Sequence, residues 1–290
     1  MPIASMATDL DDAFEACRLE TAEWAKTFYL GTLLLPLEKR RAIWAIYVWC
    51  RRTDELMDSA EAQSRSVEEL AERLDHWEQQ TRDLFNGHVS NDLDAVMAHT
   101  LERFPQDIQP YLDMIEGQRM DLTWTRYPTF EDLKLYCYRV AGTVGLMTQG
   151  VMGVDQAYTS APWSDSPDTS DAAVALGIAN QLTNILRDVG EDRGRGRISL
   201  PQEDLDRFGY SESDLMAGRL NEAWRELMAF QLERAREWFS RSESGVRWLS
   251  GDARWPVWKS LRLYRGILGA IERIDYDVFN RRAYVGKVNK

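Results

Sequence analysis

The sequence predicts an all-α fold. Apolar residues recur every three to four positions through most of the 290 residues, which is the period of an amphipathic helix. The chain has no series of alternating apolar and polar segments separated by hairpin turns, so nothing in it predicts a sheet. Hydrophobic residues make up 44% of the chain and charged residues 28%, a composition typical of a folded globular protein. We expect a single domain over residues 1–290.

Prolines, glycines and helical periodicity place the individual helices. Pro36, Pro110 and Pro256 each suit the first turn of a helix, where a missing N–H is tolerated. Residues 1–12 are expected to be flexible. Residues 155–171 are rich in Ser, Pro and Asp, and we expect a surface loop there. The predicted helices cover residues 9–34, 37–58, 66–86, 90–103, 108–122, 130–152, 170–192, 212–242 and 255–281.

Charge and cysteine usage exclude several classes of protein. The formal net charge of −12 argues against nucleic acid as a partner, because non-specific binders gain affinity by neutralising phosphates. The three cysteines, Cys17, Cys50 and Cys137, lie far apart without metal-binding spacing, which indicates reduced thiols in the core of a cytoplasmic protein. The N-terminus does not resemble a targeting peptide, and no apolar run reaches the roughly 20 residues of a membrane span.

Two predicted helices carry pairs of aspartates four residues apart. Asp54 and Asp58 form the first acid ladder, and Asp188 and Asp192 form the second. Four residues make about one helical turn, so both carboxylates of a pair project from the same face. A lone pair at this spacing is usually a solvent-exposed face. The surroundings of both ladders favour a different interpretation.

The second ladder belongs to a polar seam on an otherwise apolar helix. Gln181 and Asn184 share its face, while apolar residues cover much of the remaining circumference. A helix that is apolar on most of its surface is buried, and unpaired buried carboxylates are strongly disfavoured. The seam is therefore expected to face partners or a wet cavity.

Two facing acid ladders could hold divalent cations against a diphosphate. Mg²⁺ prefers oxygen ligands and is usually bound by one or two carboxylates together with substrate phosphates. Arg51 adjoins the first ladder and Arg187 the second, and the planar guanidinium group suits phosphate oxygens. The combination indicates ionisation of an allylic diphosphate, with metal ions neutralising the leaving group and an apolar pocket sheltering a carbocation.

Five segments of the sequence resemble the successive motifs of the squalene and phytoene synthase family, and of its phytoene synthases in particular. They are distributed in the family's order over about residues 24 to 285. The resemblance implies an isoprenoid-synthase-type helical bundle whose central cavity is lined by both ladders. The segments are "FYLGTLLLP", "YVWCRRTDELMD", "YCYRVAGTVGLM", "NQLTNILRDVGEDRGRGRISLP" and "YRGILGAIERIDYDVFNRRA".

The resemblance also implies an activity. Two geranylgeranyl diphosphates would condense head to head through prephytoene diphosphate to phytoene, the first committed step of carotenoid biosynthesis, without NADPH. Two or three Mg²⁺ or Mn²⁺ ions would accompany the diphosphates. A lipid-soluble substrate and product imply peripheral contact with a membrane through an apolar patch. The same chemistry allows association with upstream or downstream isoprenoid enzymes. The sequence does not locate that patch.

The family's functional positions can be matched to this sequence. Tyr136 matches the tyrosine near the first cation and the departing proton, although spacing alone favours a core aromatic residue there. Trp24 and Phe28 are interpreted as core residues. The positions matching metal ligands are Asp54, Asp58, Asp188 and Asp192, with Asn184 beside them. The positions matching diphosphate contacts are Tyr47, Arg51, Gln181, Asn184, Arg187, Tyr264 and Arg281.

One departure and two alternatives accompany this interpretation. Ser199 stands where relatives commonly carry tyrosine, which puts an aromatic contact there in doubt. A squalene or dehydrosqualene synthase using farnesyl diphosphate is the first alternative. Squalene formation needs a nicotinamide reductant, and the chain has no strand followed by GxGxxG. The second alternative is a non-catalytic scaffold or assembly factor on the same fold, which has no need to keep acids and arginines in register.

Overall fold

A computed structural model of the chain describes residues 10–59, 61–158 and 167–285, without the side chains of Thr27, Asp58 and Gln63. Within these ranges the structure contains helices and isolated bridges but no β-strand, which confirms the all-α prediction. Residues 1–9 of the expected flexible N-terminus and 159–166 of the expected loop lie outside the described residues. Residues 10–12 were expected to be flexible, but they form the first turn of a helix.

The α-helices of the described ranges are numbered in chain order. They are α1 (Leu10–Trp24), α2 (Lys26–Thr32), α3 (Leu37–Asp58), α4 (Val67–Phe85), α5 (Asp92–Arg103), α6 (Gln109–Thr123), α7 (Phe130–Cys137), α8 (Thr143–Met152), α9 (Ser170–Gly194), α10 (Gln202–Arg207), α11 (Glu212–Ala217), α12 (Glu222–Val246) and α13 (Gly251–Arg273). A π-helical segment, Tyr138–Gly142, joins α7 to α8.

Helix α3 lies in the core of the N-terminal half. Its residues 42–46 and 48–50 are buried, because the segment "AIWAIYVWC" is apolar on nearly all sides. Trp49 packs its ring against Trp77, 5.7 Å between centroids, and edge-on against Tyr111 at 4.7 Å. Helices α1, α5, α6 and α8 surround α3. The first acid ladder is thus carried by a helix that is held on several sides.

Helix α9 occupies the corresponding position in the C-terminal half, against α12, α13, α8 and the π-helical segment. Ile178, Leu182, Ile185, Leu186 and Val189 are buried, as the apolar pattern predicted. Where α9 passes the π-helical segment, a Cβ on Gly177 would lie 2.2 Å from the Ala141 carbonyl oxygen. Only glycine permits this approach, which brings α9 close to the chain that follows Tyr136.

Two predicted helices are each divided in the structure. The predicted helix over residues 9–34 breaks at Ala25, whose backbone leaves the helical region (φ −130°, ψ 57°) and separates α1 from α2. The predicted helix over 212–242 breaks at Gly218, where a left-handed conformation (φ 65°) ends α11. Asn221 then caps α12 by accepting from the Trp224 N–H at 2.9 Å.

The last helix begins and ends earlier than predicted. Helix α13 starts at Gly251, so Pro256 lies inside the helix and not at its first position. It ends at Arg273, and Asp275 and Tyr276 then take positive φ angles of 54° and 59°. Helix α10 was not predicted from the sequence.

Buried and exposed side chains settle several expectations. Cys17, Cys50 and Cys137 are buried and unpaired in the described structure, as predicted. The core interpretation of Trp24 and Phe28 is wrong, because 57% and 36% of their surfaces are exposed where the short α2 lies on the outside. No helix in the described ranges has the length and apolarity to cross a membrane.

Candidate active site

The first ladder is held by a neighbouring helix. Asp54, half-buried near the end of α3, accepts a hydrogen bond from Nε2 of Gln118 on α6 at 2.8 Å. Gln118 is 5% exposed, so its amide is directed by packing and not by solvent. Asp58 is the last residue of α3, but its side chain lies outside the described atoms.

Trp24 at the end of α1 and Phe28 on α2 contact the α3 face that precedes the first ladder. The Arg51 guanidinium lies 3.7 Å from the centroid of the Trp24 ring, and its Nη2 pairs with Glu55 Oε1 at 2.7 Å. The Tyr47 ring lies 5.5 Å from that of Phe28. Burial raises the pKa of Tyr47, and the nearby charge of Arg51 opposes the rise. The structure therefore brings Tyr47 and Arg51 together beneath α2.

The second ladder begins with a paired carboxylate. Arg187 donates Nε to Asp188 Oδ1 at 2.9 Å and Nη2 to Oδ2 at 2.5 Å, and this hydrogen bonding raises the pKa of Arg187. Arg282 Nε lies 3.3 Å from Asp188 Oδ1. Arg281, the predicted diphosphate contact, is two-thirds exposed and pairs with Asp277 at 3.7 Å. The structure thus places Arg282, which the sequence analysis did not single out, against the ladder.

Asp192 accepts a hydrogen bond from Ser199, the residue that stands where relatives commonly carry tyrosine. Ser199 Oγ donates to Asp192 Oδ2 at 3.0 Å. Burial raises the pKa of Asp192, while the Ser199 hydrogen bond and the Arg197 charge oppose the rise. A serine at position 199 therefore supplies a direct contact to the second ladder.

Tyr136 belongs to a buried polar network and is more than a core aromatic residue. Its hydroxyl donates to Asp121 Oδ2 at 3.1 Å, and Asp121 also forms an ion pair with Arg197. Its ring lies 5.4 Å from that of Tyr127. Burial, reinforced by the charge of Asp121, raises the pKa of Tyr136 well above its ordinary value. The phenol is accordingly neutral and oriented.

One face of α6 joins the two ladders. Gln118 and Asp121 are three residues apart and share that face. Gln118 reaches Asp54, and Asp121 reaches Arg197, whose backbone N–H donates to the Asp192 carbonyl at 3.0 Å. The sequence analysis missed both α6 residues. The sequence signal that could have identified them is the one used for α9. It consists of polar positions on one face of a helix whose other residues are largely apolar.

The remaining predicted residues lie on α9 and α13. Gln181 and Asn184 are half-buried on α9, two turns and one turn before Asp188, respectively. Tyr264 lies on α13, where burial raises its pKa and the charge of Arg187 opposes the rise. Tyr264 is therefore close to the arginine of the second ladder.

The donor atoms of the ladders suit a hard divalent cation. Carboxylate and amide oxygens are ligands that Mg²⁺ accepts, and Mg²⁺ commonly takes its other ligands from water and substrate phosphates. Among the described side chains no three His, Cys, Asp or Glu groups gather as an all-protein metal cage. The raised pKa of Asp192 indicates a carboxylate whose charge is incompletely balanced. These residues fit a cation that is shared with a diphosphate.

Comparison with known proteins places this arrangement in a family. The sequence pattern of squalene/phytoene synthases matches residues 21–289. The chain belongs to the squalene/phytoene synthase family. The 15-cis-phytoene synthase of Synechococcus elongatus is 60% identical over 278 residues, which are 95% of this chain and 89% of that protein. The 15-cis-phytoene synthase of Synechocystis sp. is 58% identical over 288 residues, 98% of this chain and 84% of that protein.

Solved structures of the squalene/phytoene synthase family share the fold. A ligand complex of a dehydrosqualene synthase superposes with a TM-score of 0.84 at 30% identity, covering 97% of this chain and 93% of that one. This likeness confirms the isoprenoid-synthase-type bundle. The predicted central cavity and the roles of the individual site residues stay predictions.

Proposed function

We propose that the chain is a phytoene synthase, a prenyltransferase that joins two geranylgeranyl diphosphates head to head. Phytoene would form through prephytoene diphosphate, as the first committed step of carotenoid biosynthesis. The observation that carries the proposal is the set of polar contacts through which α6 connects the two ladders. These contacts run from Asp54 on α3 to Asp192 on α9. The relatives at 58% and 60% identity, both named 15-cis-phytoene synthase, support the choice of substrate and product.

Arginines beside the ladders bind the diphosphates in this proposal. Arg51 lies next to the first ladder, and Arg187 and Arg282 both contact Asp188 in the second. Guanidinium groups form paired hydrogen bonds with phosphate oxygens. An arriving diphosphate would therefore replace the carboxylates as the hydrogen-bond partner of these arginines. Tyr47 and Tyr264, each near one of these arginines, complete the contacts with neutral hydroxyls. The exposed Arg281 is the weakest of the predicted diphosphate contacts.

The ladder acids hold the metal ions in this proposal. Mg²⁺ or Mn²⁺, when bound, would supply positive charge that neutralises the departing diphosphate. Both ions are hard cations that suit carboxylate and amide oxygens. The residues that would hold them are Asp54, Asp58, Asp188 and Asp192, with Asn184 and Gln181 beside them.

Tyr136 stabilises the cation and helps to move the proton. Its O–H is engaged by Asp121, and Asp121 is in turn balanced by Arg197, so the phenol oxygen is oriented and electron-rich. Its raised pKa keeps the phenol neutral at working pH. A neutral oxygen near the reacting carbons can stabilise positive charge without being alkylated as readily as a phenolate. The same oxygen can receive the proton whose loss ends the first step, while its own O–H proton passes to Asp121 Oδ2, to which the hydroxyl donates.

The product made by the purified protein tests this proposal. Geranylgeranyl and farnesyl diphosphate are supplied separately with Mg²⁺ or Mn²⁺, each with and without NADPH, and the hydrocarbon is identified by mass spectrometry. Phytoene from geranylgeranyl diphosphate without NADPH is the expected result. Squalene or dehydrosqualene from farnesyl diphosphate alone would contradict the substrate assignment. Absence of turnover with either metal would favour a scaffold.

The lipid solubility of the substrate and product places the enzyme at a membrane surface in this proposal. Association with upstream or downstream isoprenoid enzymes would shorten the path of the prenyl diphosphate. Both expectations rest on the chemistry of the substrate.

A further inference from the structure

Exposed apolar side chains gather around the short helix α2. Residues 24–37 form an apolar segment in which Leu30 is 63% exposed and Leu34 46% exposed. Helix α2 packs against α13, where Trp255 is 59% exposed and stacks on Trp258 with 5.3 Å between centroids. We call the exposed side chains of this region the apolar face. Its members are Trp24, Phe28, Leu30, Leu33, Leu34, Leu37 and Trp255.

Lys39 connects the α3 side of the apolar face to its α13 side by hydrogen bonds. Lys39 Nζ donates to Asp252 Oδ1 and Ser250 Oγ, both at 2.7 Å, and so ties the start of α3 to the start of α13. Leu37 and Trp255 lie two and three residues from the ends of this contact. The face is therefore continuous from α2 across to α13, since α2 itself packs against α13.

The charge around the apolar face is opposite to that of the whole protein. Residues 24–37 contain one charged residue, Lys26, and residues 253–271 contain four basic residues and no acid. These two segments together carry a formal charge of +5, whereas the chain carries −12. Arg262 is exposed, with its guanidinium 5.1 Å from the Trp258 ring centroid. An acidic protein thus has a surplus of basic residues along these two segments, which are flanked by the exposed acids Glu23, Glu38 and Asp252.

A cavity beside the apolar face has one more basic residue than acids in its lining. Its volume is about 300 Å³, and it is lined by Leu33 and Leu37 together with three arginines and two acids, Arg18, Arg40, Arg41, Asp11 and Glu15. Arg18 pairs with Glu15, and Arg41 pairs with Asp11. Arg40 Nε is buried, and no described group accepts its hydrogen bond. An anionic oxygen entering from the direction of Leu33 would satisfy this donor.

We propose that the apolar face docks on the surface of a bilayer containing anionic lipid. Exposed leucines and tryptophans bordered by basic residues are typical of segments that lie in the membrane interface. A second copy of the chain fits less well, because a two-fold interface would bring the same basic face against itself. The occupant that matches both the apolar side chains and the charge is therefore anionic lipid.

This surface deepens the proposed function, on which it rests, because two side chains of the apolar face, one from the end of α1 and one from α2, also contact residues of the candidate active site. Trp24 contacts the Arg51 guanidinium and Phe28 contacts the Tyr47 ring, while Leu30 and Leu34 are exposed. Docking on this face would place the diphosphate-binding side of α3 next to the bilayer. A prenyl chain could then pass between lipid and site without crossing bulk water.

Vesicle flotation of the full chain tests the surface independently of turnover. Wild type is mixed with vesicles of phosphatidylcholine alone or of phosphatidylcholine and phosphatidylglycerol in equal parts. We expect binding to the anionic vesicles, and a fall of about tenfold or more in partition coefficient for the double variant Leu30→Ser/Leu34→Ser. The matched control is Leu135→Ser/Leu220→Ser, whose leucines are 41% and 39% exposed away from the apolar face. It should bind like wild type.

Charge is tested with Lys259→Gln/Arg262→Gln, which should weaken binding to anionic vesicles while leaving the leucines in place. Wild type that fails to float, or a Leu30→Ser/Leu34→Ser variant that binds like the control, would overturn the proposal. A wild-type dimer that this variant dissociates, without vesicle binding, would assign the face to a second copy and also overturn it. If the protein forms phytoene from detergent-dispersed substrate but does not bind vesicles, the docking proposal is contradicted and the proposed function is not. Vesicle binding without turnover would support the surface and contradict the proposed function.

Discussion

Gln118 donates its side-chain amide to the Asp54 carboxylate at 2.8 Å, and both residues are on helices that the core holds rigidly. Three residues further along α6, Asp121 pairs with Arg197, which contacts the backbone of Asp192. A third helix, which contributes no residue to either ladder, thus links the two acid ladders through polar contacts. This relationship suggests that part of the site's precision lies in α6.

Replacing Gln118 tests its role as a positioning residue. Gln118→Leu removes the hydrogen bond to Asp54 while keeping the volume of a buried side chain, so we expect weaker metal binding and little change in fold. The Mg²⁺ concentration for half-maximal activity should rise by about 10- to 100-fold, as for other residues that orient metal ligands. Gln109→Leu, an exposed position on the same helix, is the control. Equal Mg²⁺ dependence in the two variants would contradict the role.

Neutralising Asp188 tests the second ladder. Asp188→Asn keeps the shape of the side chain but removes the charge that pairs with Arg187 and Arg282, and turnover should fall by at least about 100-fold. Asp275→Asn provides a matched control, because Asp275 also forms a hydrogen-bonded pair, with Arg225, at an exposed surface site. It should retain activity and change the unfolding free energy little, because an exposed ion pair is screened by solvent. Unfolding of Asp188→Asn would instead indicate a purely structural pair.

Removing the hydroxyl of Tyr136 separates a catalytic role from a packing role. Tyr136→Phe keeps the ring against Tyr127 and loses only the hydrogen bond to Asp121, so unfolding free energy should fall by about 1 kcal/mol. Turnover should fall by about 100-fold if the phenol oxygen handles the cation and proton. Tyr210→Phe is the matched control, since the Tyr210 hydroxyl donates to the Arg219 carbonyl at 2.8 Å. Comparable activity in both variants would show that Tyr136 has only a packing role.

We predict that the hydroxyl at position 199 influences the acid limb of the pH–activity profile. Burial raises the pKa of Asp192 and the Ser199 hydrogen bond opposes the rise. Ser199→Ala should therefore raise this pKa further, because the hydrogen bond favours the ionised form. In the proposed function the ionised carboxylate holds the cation, so the acid limb should move to higher pH. Ser199→Thr keeps the hydroxyl and should leave the profile in place, and an unmoved profile in Ser199→Ala would contradict this account.

The buried thiols make a prediction about reactivity and alkaline stability. Burial raises the pKa of Cys17 to about 12, so at pH 8 only about one thiol in ten thousand is ionised. Ellman's reagent should react slowly with the native protein and rapidly with all three cysteines in guanidinium chloride.

The raised pKa of Cys17 also predicts the direction in which stability changes with pH. The unfolded thiol ionises near its ordinary pKa of 9.0, below the folded value. The stabilisation is complete below pH 9 and is lost as the pH rises toward 12, because the unfolded state releases its proton first. Cys17→Ala should flatten this part of the curve, measured by chemical unfolding at several pH values. A slope unchanged by Cys17→Ala would contradict the assignment.

Local pattern was sufficient for most helices and for the ladders themselves. The predicted helix over residues 37–58 matches α3, and the apolar positions of α9 are buried as its period required. Helical period is a short-range property, so it can be read from spacing along the chain. The two missed divisions, at Ala25 and Gly218, depend on single backbone angles within long helical patterns.

The sequence by itself determined that this protein is helical, that two of its helices each carry an acid ladder, and which motifs it shares with its family. Tertiary structure decided which side chains meet: Gln118 reaches Asp54, and Arg282, not Arg281, reaches Asp188. It also exposed Trp24 and Phe28, which the sequence analysis had interpreted as core residues. The physical reason is that contacts between helices depend on their relative position and rotation in the packed bundle. No spacing within a single helix encodes these quantities.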